Sequence, residues 1–372
     1  MQGLGTDRKT PRMSKYERPN IRAMQGYTWG EQPQDARTIK LNTNENPYPV
    51  SARVQEALSG IDAASLRAYP QPTADRLRDA IAARHGLSRE QIVVTNGGDE
   101  ALRLAITTFV EPKAAFGMAS PSYSLYPVLA NIHDAGIVEV PLGDDWVLPE
   151  DLAPTLNAAG AELTCLVNPH APSGTLTDTE TLSRIAASLD GVLLIDEAYV
   201  DFVDPARAYD STQLLETHDN VLILRTFSKG YSLAGLRLGY LLGSTELIAP
   251  IIGKTRDSYN IDHISQTVGL AAFEDLQHAA TSWAQVRESR AHLVNALGQL
   301  GLQSPPSEAN FVLATVPATA RQDAAALYAS LKAQGILVRY FDTARLDDKL
   351  RISIGTPEEN DRLVAALTQA LT

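Results

Sequence analysis

One lysine stands where a reactive amine is easiest to form. Lys229 closely follows the apolar run 221–226 and has Ser228 and Gly230 as neighbours. Burial disfavours the charged ammonium and lowers the pKa of the amine, which can then attack a carbonyl. Arg237, eight residues further on, brings a second cation that suits a phosphate. On these residues alone, the alternative is an ordinary lysine in an exposed loop.

Two further patterns lie at the ends of apolar runs. Asp196 ends the run 192–196, where it is either a buried carboxylate or the N-cap of a following helix. Asn96-Gly97-Gly98-Asp99 follows another short run and opens a helical pattern. Free N–H groups at the start of a helix favour a phosphate there. A plain connection between strand and helix has the same composition.

The stretch around the lysine carries a resemblance to a known family. Residues 226–239, Thr-Phe-Ser-Lys-Gly-Tyr-Ser-Leu-Ala-Gly-Leu-Arg-Leu-Gly, resemble the cofactor-lysine signature of the class II pyridoxal-phosphate (PLP) aminotransferases, which have the aspartate-aminotransferase fold. They are similar to the histidinol-phosphate aminotransferase branch in particular, and the resemblance runs from about Arg18 to the C-terminus. It implies that PLP is the cofactor and that Lys229 holds it as a Schiff base. The freed lysine then serves as general base and acid.

The resemblance also assigns the other contacts with the cofactor. Asp196 keeps the ring nitrogen protonated, so that the ring can accept electrons from the substrate. Tyr199 bonds the ring oxygen. Tyr123, in Pro-Ser-Tyr-Ser-Leu-Tyr, stacks on the ring, and a core aromatic is the alternative there. The groups implied to hold the phosphate are the backbone amides of Gly98 and Asp99, the side chains of Ser228 and Arg237, and Tyr69 donated by the neighbouring subunit of a homodimer.

One segment departs from the family pattern. The family usually has Asn-Pro-Asn-Asn-Pro-Thr-Gly, and residues 168–174 are Asn-Pro-His-Ala-Pro-Ser-Gly. The asparagine that normally bonds the ring oxygen is replaced by Ala171, which cannot do so. Asn168 or His170 is therefore expected to contact the cofactor instead, or Tyr199 makes that contact alone.

The C-terminal part and the N-terminal segment carry the residues implied to bind substrate. Arg351, in Arg-Ile-Ser-Ile-Gly-Thr, matches the arginine that holds a carboxylate, and Arg339 matches a second arginine for a distal anion. A guanidinium fork suits such anions; solvated charges at strand edges are the alternative. Tyr27 matches a tyrosine that binds the phosphate of histidinol phosphate. Asn44 begins Asn-Glu-Asn-Pro, which the resemblance makes a lid over the site.

The resemblance implies L-histidinol phosphate as amino donor and 2-oxoglutarate as acceptor, a step of histidine biosynthesis. An aromatic or broad-specificity amino-acid aminotransferase is the first alternative, and a threonine-phosphate decarboxylase of a sister branch is the second. A regulator that keeps a PLP-like fold normally carries an added DNA-binding domain, and only about 40 residues precede the fold here. A nicotinamide dehydrogenase needs Gly-x-Gly-x-x-Gly after a strand, which Gly3-Leu4-Gly5 does not provide.

The elements that must position these residues follow from the hydrophobic pattern. Short apolar runs alternate with helical patterns, which predicts an α/β fold with a mostly parallel sheet covered on both faces. Ligands then lie beyond the carboxyl ends of the strands. Local expectations are a capping box from Thr177 to Glu180, one long helical stretch over 265–300 and a strand over 336–340. The predicted parts are an N-terminal arm with part of the small domain and a lid (1–45), a large PLP-binding domain (46–262) and a small α+β domain (263–372).

Composition limits the partners. The 372 residues carry a formal net charge of −12, which argues against nucleic acid and anionic membranes. No apolar stretch approaches the roughly 20 residues of a membrane helix, and residues 1–20 have no secretory apolar segment, so the expected location is cytoplasmic. Cys165, the single cysteine, is expected to be a buried hydrophobe. No metal is expected, and residues 1–17 are expected to form a flexible tail.

Overall fold

The computed structural model describes residues 14–33, 35 and 37–371. Its strands are β1 (Ile39–Lys40), β2 (Ile92–Thr95), β3 (Ala115–Ser120), β4 (Gly136–Pro141), β5 (Ala161–Val167), β6 (Val192–Asp196), β7 (Val221–Thr226), β8 (Gly239–Gly243), β9 (Phe311–Thr315), β10 (Ile336–Leu337), β11 (Arg339–Tyr340) and β12 (Lys349–Ser353). Its α-helices are α1 (Pro19–Ala23), α2 (Ala52–Ser59), α3 (Asp75–His85), α4 (Gly97–Phe109), α5 (Leu125–His133), α6 (Leu152–Ala158), α7 (Thr179–Ser188), α8 (Leu214–Thr217), α9 (Thr245–Pro250), α10 (His263–Glu274), α11 (Leu276–Gln299), α12 (Ala324–Ala333) and α13 (Pro357–Leu371).

A seven-stranded sheet forms the centre of the larger part of the chain. Its strand order is β2-β8-β7-β6-β5-β3-β4. The strands from β3 to β7 run parallel, and β8 is antiparallel to both of its neighbours. Strands β6 and β7 are buried almost throughout, which explains the four consecutive apolar residues with which each begins, since both faces are covered. The prediction of an α/β fold with a mostly parallel sheet is confirmed.

The C-terminal part has a separate, antiparallel sheet of three strands in the order β11-β12-β9. Helix α13 packs on both α11 and α12, and α11 and α12 contact this sheet. The short strand β1 pairs in parallel with β10, and this pairing joins the N-terminal segment to the C-terminal elements. The first thirteen residues of the predicted arm lie outside the described residues, and the domain boundaries at 45 and 262 stay a prediction.

Three local expectations were wrong. Helix α7 begins after Asp178, whose carboxylate accepts a hydrogen bond from the Thr181 amide at 2.6 Å, so Asp178 and not Thr177 is the N-cap. The long helical stretch is broken at Asp275, which has non-helical backbone angles between α10 and α11. The predicted strand over 336–340 divides at Val338, because β10 pairs with β1 while β11 pairs with β12.

Within the described part of the chain, no helix has both the length and the apolar character needed to cross a membrane. No group of three or more His, Cys, Asp and Glu side chains in the same part of the chain could hold a metal ion. Cys165 is buried in β5 with its pKa raised well above the usual value by that burial, as expected for a cysteine that serves packing.

Candidate active site

A cavity of about 830 Å³ lies where the parallel strands end and the C-terminal sheet approaches them. Such a position is where open α/β sheets bind ligands. Most of the residues that the sequence singled out come together in its wall. They are Tyr27, Asn44, Gly98, Asp99, Tyr123, Asp196, Tyr199, Ser228, Lys229, Arg237, Arg339 and Arg351.

Lys229 is held with its amine inside this cavity. Its Nζ donates a hydrogen bond to the backbone carbonyl of Thr43 at 2.8 Å. The carbonyl of the next residue, Gly230, accepts from the indole Nε1 of Trp283 at 2.7 Å and so fixes the loop after β7. Burial, and then the positive charge of Arg351, lower the pKa of Lys229 to about 8. Lys229 is therefore not an ordinary exposed lysine, because its amine is bonded inside the cavity and its lowered pKa favours the unprotonated form.

Asp196, at the end of β6, is a buried carboxylate without a cation. Its Oδ2 accepts from the hydroxyl of Tyr126 at 2.8 Å, and its Oδ1 accepts from the amide of Ala198 at 3.1 Å. Burial raises its pKa to about 6. No ion pair joins it to another side chain in residues 14–33, 35 and 37–371. A buried carboxylate of this kind favours a cationic ligand group beside it, and no α-helix begins there for it to cap.

Tyr126 is a site residue that sequence reasoning missed. It follows Tyr123 by three residues, and its side chain is completely buried with the hydroxyl on Asp196. The rings of Tyr123 and Tyr126 meet edge to face at 5.5 Å, and Tyr27 meets Tyr123 at 6.0 Å. The spacing of the two tyrosines, on one side of the start of α5, was the only signal in the sequence.

Tyr199 has its hydroxyl positioned by Asn44. The Asn44 amide Nδ2 donates to that hydroxyl at 3.1 Å. Asn44 is itself fixed, because its Oδ1 accepts from Ser353 and its carbonyl accepts from Asn310. Its backbone has a left-handed φ of 55°. Asn44 therefore lies behind Tyr199 as its partner, and the structure gives it a positioning role that the expected lid did not include.

A cradle for an anion lies at the start of α4. The backbone amides of Gly98 and Asp99 belong to its first turn. The Arg237 guanidinium donates to Ser228 Oγ at 3.4 Å and to the Asp99 carboxylate at 3.2 Å. Gly97 has φ of 74°, and a Cβ there would lie 2.7 Å from Arg237 Nη2. A helix start facing an arginine is a suitable site for a phosphate group.

Asn168 and His170 do not line the cavity, and the prediction that one of them contacts the cofactor is corrected. The Asn168 amide donates to the carbonyl of Thr177 and the hydroxyl of Tyr209, both at 2.9 Å. His170 is buried between Ser173 Oγ at 2.7 Å and the carbonyl of Pro121 at 3.0 Å. Ala171 does line the cavity. The alternative that Tyr199 bonds the ring oxygen alone stays a prediction.

Arg339 and Arg351 lie directly opposite each other on β11 and β12. Arg351 Nη2 donates to the carbonyl of Asn42 at 2.9 Å, but its buried Nε has no hydrogen-bond partner among the described residues. Burial lowers the pKa of Arg351. Like charges across a strand pair repel each other. An anion bound between the two guanidinium groups would remove this repulsion and would offset the free-energy cost of burying their charge.

Tyr69 lies apart from the cavity of its own chain. Its side chain is 81 % exposed, and its ring stacks on that of Tyr259 at 4.4 Å. A role in this chain's own cavity is therefore excluded in the described structure, and its predicted contact with a neighbouring subunit stays a prediction.

The chain is similar to known proteins over most of its length. The family model for aminotransferase class I and II matches residues 36–367. The chain is 40 % identical over 360 residues to histidinol-phosphate aminotransferase 1 of Nostoc sp., covering 96 % of this chain and 99 % of the relative. It is 41 % identical over 355 residues to histidinol-phosphate aminotransferase of Microcystis aeruginosa, covering 94 % and 97 %.

Among solved structures, one neighbour is histidinol-phosphate aminotransferase of Sinorhizobium meliloti in complex with pyridoxal-5'-phosphate. Its TM-score is 0.87 at 27 % identity, and the match covers 97 % of this chain and 98 % of that one. The family match, the close relatives and the buried lysine and carboxylate lead to one conclusion: the chain belongs to the class I and II aminotransferases.

Proposed function

We propose that this chain is a PLP-dependent aminotransferase that transfers the amino group of L-histidinol phosphate to 2-oxoglutarate. The observation that carries the proposal is the pair of Lys229 and Asp196, a buried amine and a buried carboxylate without a cation, in the wall of one cavity. The curated relatives at about 40 % identity are named as histidinol-phosphate aminotransferases, which supports the proposed donor. The domain boundaries at 45 and 262, and the contacts of the site residues with cofactor and substrates, are part of this proposal.

The residues present fit the cofactor. Lys229 provides the amine for the Schiff base, and Asp196 provides a negative charge for the ring nitrogen. Arg237 and the start of α4 provide an anion cradle for the phosphate. Tyr199 offers a hydroxyl to the ring oxygen, and Tyr123 an aromatic face. When bound, PLP supplies an electron-accepting ring that stabilises negative charge at the substrate Cα.

The side chains of the cavity then have separate roles in the reaction. Lys229 Nζ takes the proton from the substrate Cα as general base, which its lowered pKa favours. Arg339 and Arg351 hold the anionic ends of both substrates. Histidinol phosphate presents a phosphate, and 2-oxoglutarate presents two carboxylates, so one pair of guanidinium groups can serve both. Tyr27 is expected to bond the phosphate of the donor.

The donor is tested by glutamate formation from 2-oxoglutarate with purified PLP-loaded enzyme. We expect L-histidinol phosphate to be used far faster than phenylalanine, because only the former carries a phosphate for the arginine pair. Faster use of phenylalanine would identify an aromatic aminotransferase. Release of carbon dioxide from threonine phosphate would identify a decarboxylase. Either result would overturn the proposed donor.

We further propose that the enzyme is a homodimer in which Tyr69 reaches the phosphate cradle of the partner. An exposed tyrosine outside its own chain's cavity supports this assignment. Mixing Lys229→Ala and Tyr69→Ala subunits tests it, since one site of each mixed dimer would have both Lys229 and Tyr69. We expect about a quarter of wild-type activity from a random mixture. A mixture as inactive as the two separate variants, at limiting PLP, would contradict a contact between subunits.

A further inference from the structure

The outer wall of the cavity contains a segment that no site assignment uses. Residues 341–346, here called the wall loop, form most of the connection between β11 and β12. Five of its side chains or backbone groups face the cavity, namely those of Phe341, Thr343, Ala344, Arg345 and Leu346. The wall loop therefore lies directly beside the two arginines expected to hold substrate anions.

Arg345 ties the wall loop to the opposite part of the molecule. Its Nη1 donates to the carbonyl of Leu142 at 2.7 Å, and its Nη2 donates to the carbonyl of Gly143. Its guanidinium lies over the ring of Trp146, 4.6 Å from the ring centroid. Leu142, Gly143 and Trp146 belong to the turn after β4, the outermost strand of the large sheet, here called the edge turn.

The two residues that stack on each other in this contact both have unusual backbone conformations. Arg345 has φ of 74° and Trp146 has φ of 64°, left-handed values that residues other than glycine rarely adopt. Such conformations persist only where the surrounding structure holds them. Leu346 is buried in the same apolar cluster as Leu142 and Trp146. An arginine on a mobile surface loop would show neither feature.

Further contacts connect this link between Arg345 and the edge turn, here called the tether, to the site. On one side, the ring of Trp146 lies 5.9 Å from that of His170, and His170 donates to the carbonyl of Pro121, two residues before Tyr123. On the other side, Phe341 contacts both substrate arginines: its ring centroid is 5.1 Å from Arg339 Cζ and 5.5 Å from Arg351 Cζ.

We propose that Arg345 is a positioning residue for substrate binding: by fixing the wall loop to the edge turn, it holds Phe341 and through it Arg339 and Arg351. The inference rests on the proposed function, because it concerns the binding of that enzyme's anionic substrates. Both terminal nitrogens of Arg345 donate to carbonyl groups of the edge turn, which fixes the guanidinium to that turn. His170 contacts Trp146 through its ring, whose centroid lies 5.9 Å from that of Trp146.

The variants Arg345→Ala, Arg345→Lys and Trp146→Leu test this role, with Arg362→Ala as a matched control. Arg362 is an exposed arginine on α13 that does not line the cavity. We expect KM for both L-histidinol phosphate and 2-oxoglutarate to rise about tenfold in the two Arg345 variants, which lose hydrogen bonds to the edge turn, and to rise by a smaller factor in Trp146→Leu, which loses only the ring under the guanidinium. The value of kcat should change by less than about threefold, because the groups that move protons are untouched.

Inhibition by inorganic phosphate gives a second readout that does not require turnover of the proposed donor. The inhibition constant against whichever amino donor the enzyme uses should weaken together with KM, while the affinity for PLP stays at the wild-type value. Lysine keeps the charge but cannot span two carbonyls and stack at once, so Arg345→Lys should resemble Arg345→Ala.

The results separate the possibilities. A lysine variant with wild-type KM would show that Arg345 acts as a direct charge on the substrate and would overturn the inference. Unchanged KM and phosphate inhibition in Arg345→Ala and Trp146→Leu would overturn it as well. A wild-type enzyme that does not use histidinol phosphate would instead contradict the proposed donor, while the phosphate measurement would still decide the role of Arg345.

Discussion

Replacing Asp196 with asparagine lowers kcat by about three orders of magnitude, the range expected when a preorganised charge is removed from a buried site. Asparagine keeps the size of the side chain and can still accept from the Tyr126 hydroxyl or the Ala198 amide. It has no negative charge to keep a ring nitrogen protonated, so the developing charge at the substrate Cα is less stabilised. Steady-state formation of glutamate measures the effect.

Tyr126→Phe is the matched control for this substitution. It removes the hydrogen bond to Asp196 Oδ2 and leaves the charge, so we expect a loss of about ten- to a hundredfold, the value of one hydrogen bond to a charged group and clearly smaller than the loss in Asp196→Asn. An Asp196→Asn enzyme within tenfold of wild type would show that the charge is not needed.

The buried Asp196 carboxylate also lowers the free energy of unfolding at neutral pH, which gives an independent check of its environment. Its pKa in the folded protein, about 6, lies above the ordinary value of 3.8, so the native state binds the proton more tightly than the unfolded state. Stability without cofactor therefore falls as the pH rises from about 4 through 6. Asparagine avoids this loss, so Asp196→Asn should be more stable than wild type at pH 7 without PLP, by up to about 3 kcal/mol. Thermal unfolding of the two cofactor-free proteins measures it.

Replacing Lys229 with alanine should have the largest effect of all, a fall in kcat of at least about four orders of magnitude, because it removes the nucleophile and the general base together. The position of the amine is set by the Thr43 carbonyl and by the Trp283 bond to the following residue. No other lysine lines the cavity in the part of the chain that the structure describes. Glutamate formation is again the measurement.

Lys254→Ala, at an exposed lysine outside the cavity, is the control and should keep wild-type activity. Added methylamine should restore part of the activity of Lys229→Ala, since a small free amine can enter the 830 Å³ cavity and act as a base. Full activity of Lys229→Ala without such an amine would be incompatible with the proposed role.

The residues that could be predicted from the sequence are those whose position follows from a single strand end. Lys229 and Asp196 each come at the close of an apolar run, and parallel strands bring such ends to one edge of the sheet. The family resemblance then assigned their chemistry. The runs 192–196 and 221–226 coincide with β6 and β7 for the same reason, since such runs mark buried strands.

The features that could not be predicted depend on contacts between distant segments. The pairing of Ile39 with Ile336 and the opposition of Arg339 and Arg351 are settled by register, which one sequence does not reveal. For His170, the side chain turns away from the cavity to Ser173 and Pro121, and sequence spacing contains no information on that direction. The N-cap of α7 was misplaced because Thr177 and Asp178 are both good caps and stand side by side.

The central claim is that Lys229 is the residue that holds PLP, and borohydride reduction of the PLP-loaded enzyme tests it most directly. Reduction turns a Schiff base into a stable secondary amine, which peptide mass spectrometry can locate. We predict a PLP-derived mass on the peptide that contains Lys229, and its loss in Lys229→Ala. A reduced enzyme with no modified peptide, or with the mass on another lysine, would contradict the account.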